Sequence, residues 1–117
     1  AELAKKTYVA RVRFAVPVSA ERLSELEKAM VGVVVEQRTP TRVLHRRVDK
    51  LRRKLVYRVA AKQLSEKEVE LTIEAQGGLY VKEFIHGDGG RTKPNVADFL
   101  GAPVESIELD VVNIEEP

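Results

Sequence analysis

Between Val69 and Ala75 the chain alternates without a break. Val69, Leu71, Ile73 and Ala75 are apolar, and Glu70, Thr72 and Glu74 are polar. Side chains on a strand point alternately to opposite faces, so this stretch requires a sheet with one face buried and one wet. Tyr8 to Val16 repeats the pattern. Tyr8, Ala10, Val12, Phe14 and Val16 share one side, Arg11 and Arg13 take the other, and Pro17 ends the run. Strands of this kind belong to sheets whose second face meets water, so helices are expected on one side only.

Those helices have their own period. Ser19 is a good N-cap for Ala20–Met30, where Leu23, Leu26, Ala29 and Met30 recur at helical spacing. Arg22 stands where a capping box needs Glu or Gln, so only the single cap is made. Gly32 closes this helix, and Val33–Glu36 reads as a short strand buried on both faces. Two strands follow at Leu55–Lys62 and Val69–Ala75, joined by a polar turn. Asn95 caps a short helix, Val96–Leu100, that Gly101 stops. Ile107–Ile114 is the last expected strand. Residues 1–7 carry no pattern. With 117 residues, 44% hydrophobic and 32% charged, the chain suits a single domain, residues 1–117, of the α+β class with a mixed or antiparallel sheet.

Five of the seven glycines fall between Gln76 and Asn95. Gly77-Gly78 precedes a helical run, Leu79–Ile85, and Gly87, Gly89 and Gly90 lie in the loop after it. Glycines serve where φ must be positive or another group must come close. A helix start behind two glycines can also present N–H groups to an anion. The spacing is not that of a phosphate loop and no Gly-Lys-Ser/Thr follows, which counts against a nucleotide-dependent enzyme. His86 beside Asp88 could be an acid–base pair, but a loop carboxylate that caps turns is the commoner case.

Charge is concentrated elsewhere. Arg38–Lys54 holds eight basic residues, Arg38, Arg42, Arg46, Arg47, Lys50, Arg52, Arg53 and Lys54, against Asp49 alone. The segment carries +7 of a net +2, which leaves −5 for the rest. Cations held along one track neutralise phosphates, and Arg adds a two-pronged grip, so nucleic-acid contact is expected here. Thr39-Pro40 bars a helix at its start, and a protruding β-like loop is expected. No helix-turn-helix pattern or zinc spacing points to duplex DNA, and RNA shape recognition fits better. There is no cysteine, two histidines do not make a histidine-rich metal site, and no apolar run approaches membrane-spanning length. With no secretory core at the N-terminus, a cytoplasmic location is expected.

EQRTPTRVLHRR (Glu36–Arg47), AQGGLYVKEFIHGDGGRTKPNVADFLG (Ala75–Gly101) and IELDVVNI (Ile107–Ile114) together resemble the archaeal and eukaryotic tRNA pseudouridine synthases that act on U54 and U55 of the T arm. The resemblance covers residues 34–114. It implies uridine-to-pseudouridine isomerisation without cofactor or metal, on tRNA and not on DNA or at a membrane. It implies that Arg38–Lys54 is the family's RNA-gripping loop, with His45, Arg91 and Lys93 adding to the contacts. By motif, Tyr57 in LVYRV looks like the tyrosine that stacks on the flipped base, Lys82 in GGLYVKEF like the cation beside the catalytic aspartate, and Leu109 in IELDV like the leucine beneath the pocket. The sheet would be the ferredoxin-like half of the catalytic domain.

The family's catalytic aspartate lies in a motif well before RTPxRVLHRR, and no aspartate occurs between Ala1 and Glu36. The four present, Asp49, Asp88, Asp98 and Asp110, fall in other motifs. The chain is therefore expected to be the C-terminal part of a catalytic domain, inactive alone and completed by an N-terminal remainder or a separate polypeptide. The alternative is a non-catalytic RNA-binding module on the same scaffold.

Overall fold

The computed structural model describes residues 4–115. The elements are β1 (Lys5–Phe14), α1 (Ala20–Ala29), β2 (Val33–Arg38), β3 (Leu51–Gln63), β4 (Glu68–Gln76), α2 (Val81–His86), β5 (Thr92–Lys93), α3 (Val96–Leu100) and β6 (Val104–Glu115). They form one six-stranded sheet in the order β5-β2-β3-β4-β1-β6, every pairing antiparallel. Strands β3, β4, β1 and β6, with α1 and α2, make the split β-α-β arrangement of a ferredoxin-like fold. The β2 and β5 strands extend it beyond β3.

Registration follows the sequence alternation. Tyr8, Ala10 and Val12 oppose Ile73, Leu71 and Val69, and Ala10 and Val12 also oppose Leu109 and Ile107. On the far side Val59 and Ala61 meet Ile73 and Leu71. These residues form one face of the sheet, the core face. Leu23 and Leu26 of α1, Phe84 and Ile85 of α2 and Val96 of α3 cover it. Phe14, Phe84, Leu26, Leu71 and Ile73 are fully buried there, and each such side chain contributes roughly 1.5–3 kcal/mol. With only three phenylalanines and three tyrosines in the chain, aliphatic residues carry the packing. The opposite, open face bears ion pairs of Arg11 and Arg13 with Glu68 and of Arg58 with Glu74.

The N-cap at Ser19 is made: its Oγ accepts from the Arg22 amide at 3.1 Å. Several expectations are corrected. The first strand begins at Lys5, because β4 and β6 flank it and pair with residues that lack an alternating pattern; residues 1–3 lie outside the described ones. Strand β2 is not buried on both faces, since Val34 is 54% exposed on the open side. Strand β3 begins at Leu51, so the end of the basic segment is sheet. The middle of that segment is not β-like: Thr41–Val43 is a turn of 3-10 helix, with Val43 buried beneath it.

Candidate functional site

The glycine-rich stretch builds the start of α2. Gly78 has φ +94°, and a Cβ there would lie 2.9 Å from the Lys54 Nζ, so the lysine side chain occupies the space that glycine leaves. Lys54 itself is 6% exposed. The carboxamide of buried Gln37 then holds Tyr80 like a neighbouring strand. Gln37 Nε2 donates to the Tyr80 carbonyl and the Tyr80 amide donates to Gln37 Oε1, both at 2.9 Å. The N–H that could have met an anion is thus occupied. Val81, Phe84 and Ile85 turn into the core, which leaves Lys82 outward. It lines a shallow depression with His86 and with Val104–Ile107 at the start of β6.

Leu109 lies two residues further along β6, half-buried on the core face opposite Ala10. Lys82 and Leu109 therefore share one side of the sheet, near its β6 edge. Tyr57 does not join them. Between Val56 and Arg58 the β3–β4 register slips by one residue, and this bulge turns Tyr57 to the open face. Tyr57 is 36% exposed, with the Lys5 ammonium 5.7 Å from its ring centroid. Lys5 also pairs with Glu74 on that face. The sheet stands between Tyr57 and Lys82. Tyr8 stands on the core face, 6% exposed and opposite Val111, the next core-facing position after Leu109. Burial pushes the Tyr8 phenol above its ordinary pKa. Its place in the Tyr8–Phe14 alternation was the sequence signal for this orientation.

The basic segment divides into two sets. Arg38, His45, Arg46, Arg47 and Lys50 are exposed, as is Lys93 on β5. The others are tied into the molecule. Arg42 makes a fork on Glu83 of α2, Nε to Oε2 at 2.9 Å and Nη2 to Oε1 at 3.3 Å. That hydrogen bonding raises the Arg42 pKa. Arg52 donates to Thr39 Oγ1 at 2.9 Å and lies over the Tyr80 ring, 5.4 Å from its centroid. Arg53 pairs with Glu36 at 2.9 Å. Arg91 reaches Asp49 at 2.7 Å and the Thr39 carbonyl at 3.0 Å.

His86 and Asp88 do not face each other as an acid and a base. His86 Nδ1 accepts from the Asp88 backbone amide at 3.0 Å, and the Asp88 carboxylate accepts from the Thr41 amide at 2.9 Å. Asp88 closes a turn, at φ +48°, and ties it to the basic segment. Among the described residues no group of three or more His, Cys, Asp or Glu side chains converges as metal ligands would, and no helix is long and apolar enough to cross a membrane.

A family model described as "Pus10, C-terminal" matches residues 1–115. The tRNA pseudouridine synthase Pus10 of Thermofilum pendens is 64% identical over 116 residues, which cover 99% of this chain and 26% of that protein. The tRNA pseudouridine synthase Pus10 of Methanothrix thermoacetophila is 44% identical over 110 residues, 94% of this chain and 24% of that protein. The chain thus spans about a quarter of the length of these curated relatives. A chain from a solved Cbf5-Nop10-Gar1 complex matches with a TM-score of 0.64 at 22% identity, over 92% of this chain and 30% of that one. At that identity the likeness is one of fold.

Proposed function

The chain belongs to the Pus10 C-terminal family, and from that premise we propose that it is the part of a tRNA pseudouridine synthase that grips tRNA and furnishes one wall of the active site. The observation that carries this reading is the placement of Lys82 and Leu109 on one side of the sheet, at the edge where β6 has no partner strand among the described residues. Val111 and Val112 of that strand are 54% and 55% exposed. A long unpaired edge strand is normally covered, and an N-terminal remainder carrying the aspartate is the proposed occupant.

The target uridine must leave its stack to be reached, at a cost of about a few kcal/mol. An aromatic face and an apolar floor offset that loss. Leu109 supplies the floor. The Lys82 ammonium holds the aspartate ionised, since a carboxylate withdrawn from water keeps its charge beside a cation. The aspartate attacks the nucleoside and the C1′–N1 bond breaks. The uracil, released as an anion, turns; C5 bonds to C1′ as the aspartate–C1′ bond breaks, and the C5 proton is lost to solvent while N1 takes one up. Arg38, His45, Arg46, Arg47, Lys50 and Lys93 contact the tRNA backbone, in the cytoplasm. Lys54, being buried, is left out of this set.

Tritium release from tRNA labelled at uridine C5 tests the reading. The intact protein releases tritium, whereas residues 1–117 alone bind tRNA without release. Lys82→Met abolishes release by the intact protein, and Tyr57→Ala, across the sheet from Lys82, leaves its rate at saturating tRNA unchanged. Salt-sensitive binding with no release by the intact protein would instead support a non-catalytic RNA-binding module.

A further inference from the structure

Glu83 is a charged residue placed where charge is costly. It is 2% exposed, on a helix of six residues, directly after Lys82 in the chain. Its carboxylate takes both prongs of the Arg42 guanidinium, and His86 Nε2 lies 3.5 Å away. Removing one partner of a buried pair leaves an uncompensated charge, so the fork is not readily given up. Arg42 itself is half-exposed and sits in the basic segment. Two further ties run in parallel: the Asp88 carboxylate to the Thr41 amide, and the Arg91 guanidinium to Asp49 and the Thr39 carbonyl. The basic segment is thereby fastened to the loop after α2, and the Arg42–Glu83 fork reaches into the helix that carries Lys82.

We infer that Glu83 is a positioning residue: through Arg42 it couples the set of the RNA-gripping segment to the placement of the Lys82 ammonium. The coupling rests on the proposed synthase function. Arg42, for all its exposure, does not serve tRNA phosphate; its guanidinium is committed to Glu83. RNA seated on Arg46 and Arg47 then acts on α2 through this link, and a shift of the helix moves the cation relative to the aspartate it holds.

The experiment uses the intact protein and four variants, Arg42→Ala, Arg42→Lys, Glu83→Gln and the Arg42→Ala/Glu83→Gln double. Three quantities are read: the single-turnover rate of tritium release at saturating tRNA, the tRNA Kd across a salt series, and the Tm. Arg42→Ala and Glu83→Gln each slow release by between about ten- and a hundredfold, the scale of loss that small misplacements produce. Kd and its salt slope stay at the wild-type values. The double variant is no slower than the slower single, and Arg42→Lys recovers part of the rate. The inference is overturned if Arg42→Ala lowers the salt slope by about one and raises Kd with the rate unchanged, the mark of a phosphate contact. It is equally overturned if the two losses multiply in the double. Should Glu83→Gln or Arg42→Ala fail to fold, Arg42→Lys decides, because it keeps a cation beside Glu83 while losing the two-pronged grip; release at the wild-type rate by that variant overturns the inference. An intact wild type that releases no tritium sinks the synthase reading and the coupling with it, whereas an active wild type with variants at its rate sinks the coupling only.

Discussion

At the scale of single residues, burial decides what a side chain can do. Tyr8 and Tyr57 both stand on strands, yet one is 6% exposed and the other 36%. Burial raises the Tyr8 pKa by penalising the phenolate. The native state therefore keeps a proton that the unfolded chain loses above about pH 10, the ordinary tyrosine value. Its stabilising contribution is whole below that pH and is lost as the pH rises through the folded value. Tyr8→Phe should flatten the fall in Tm between pH 9 and 11 relative to wild type, as read by thermal melts in that range. An identical fall in both proteins would show that Tyr8 ionises as freely folded as unfolded.

At the scale of elements, the connection from α2 to α3 depends on one close approach. Gly87 ends α2 at φ +89°, and a Cβ there would stand 2.8 Å from Asn95 Nδ2. Asn95 cannot yield. It is buried, its Oδ1 accepts from the Asp98 amide at 2.8 Å as the cap of α3, and its Nδ2 donates to the Thr92 carbonyl at 3.0 Å. Gly89 also has positive φ, +63°, but open space beyond it. Gly89→Ala should cost only the backbone term, about 1–2 kcal/mol. Gly87→Ala should cost more, and its Tm should fall below that of Gly89→Ala, at roughly 4–8 °C per kcal/mol. Equal melting temperatures for the two variants would mean that Asn95 moves aside.

At the scale of the whole molecule, the segment charge of +7 overstates the number of cations open to a partner. Arg42, Arg52, Arg53 and Arg91 are engaged within the chain, and Lys54 is buried. Arg46 and Arg47 remain exposed, with no ion pair among the described residues. Each phosphate contact releases counterions and steepens the dependence of binding on salt. Arg46→Ala and Arg47→Ala should each reduce the slope of log Kd against log salt by about one for the intact protein on tRNA, measured by filter binding or anisotropy. A slope unchanged in both would place the RNA track elsewhere on the molecule.

The alternation of Val69–Ala75 and Tyr8–Phe14 was enough to give a one-sided sheet, and Leu23 with Leu26 enough to place a helix on it. Ser19 and Asn95 announced their caps, and the motifs around Arg42, Lys82 and Leu109 announced the family. These signals are local: each is a period or a short string whose meaning needs no distant partner. The two-residue β5 and the early start of β1 carried no such signal, because pairing across the sheet made them strands. Nor could the sequence tell that a one-residue bulge would send Tyr57 to the open face, or that Glu83 would bury its charge against Arg42, forty-one positions away. Facing and pairing depend on register and on contacts between remote segments, and only the folded chain fixes those.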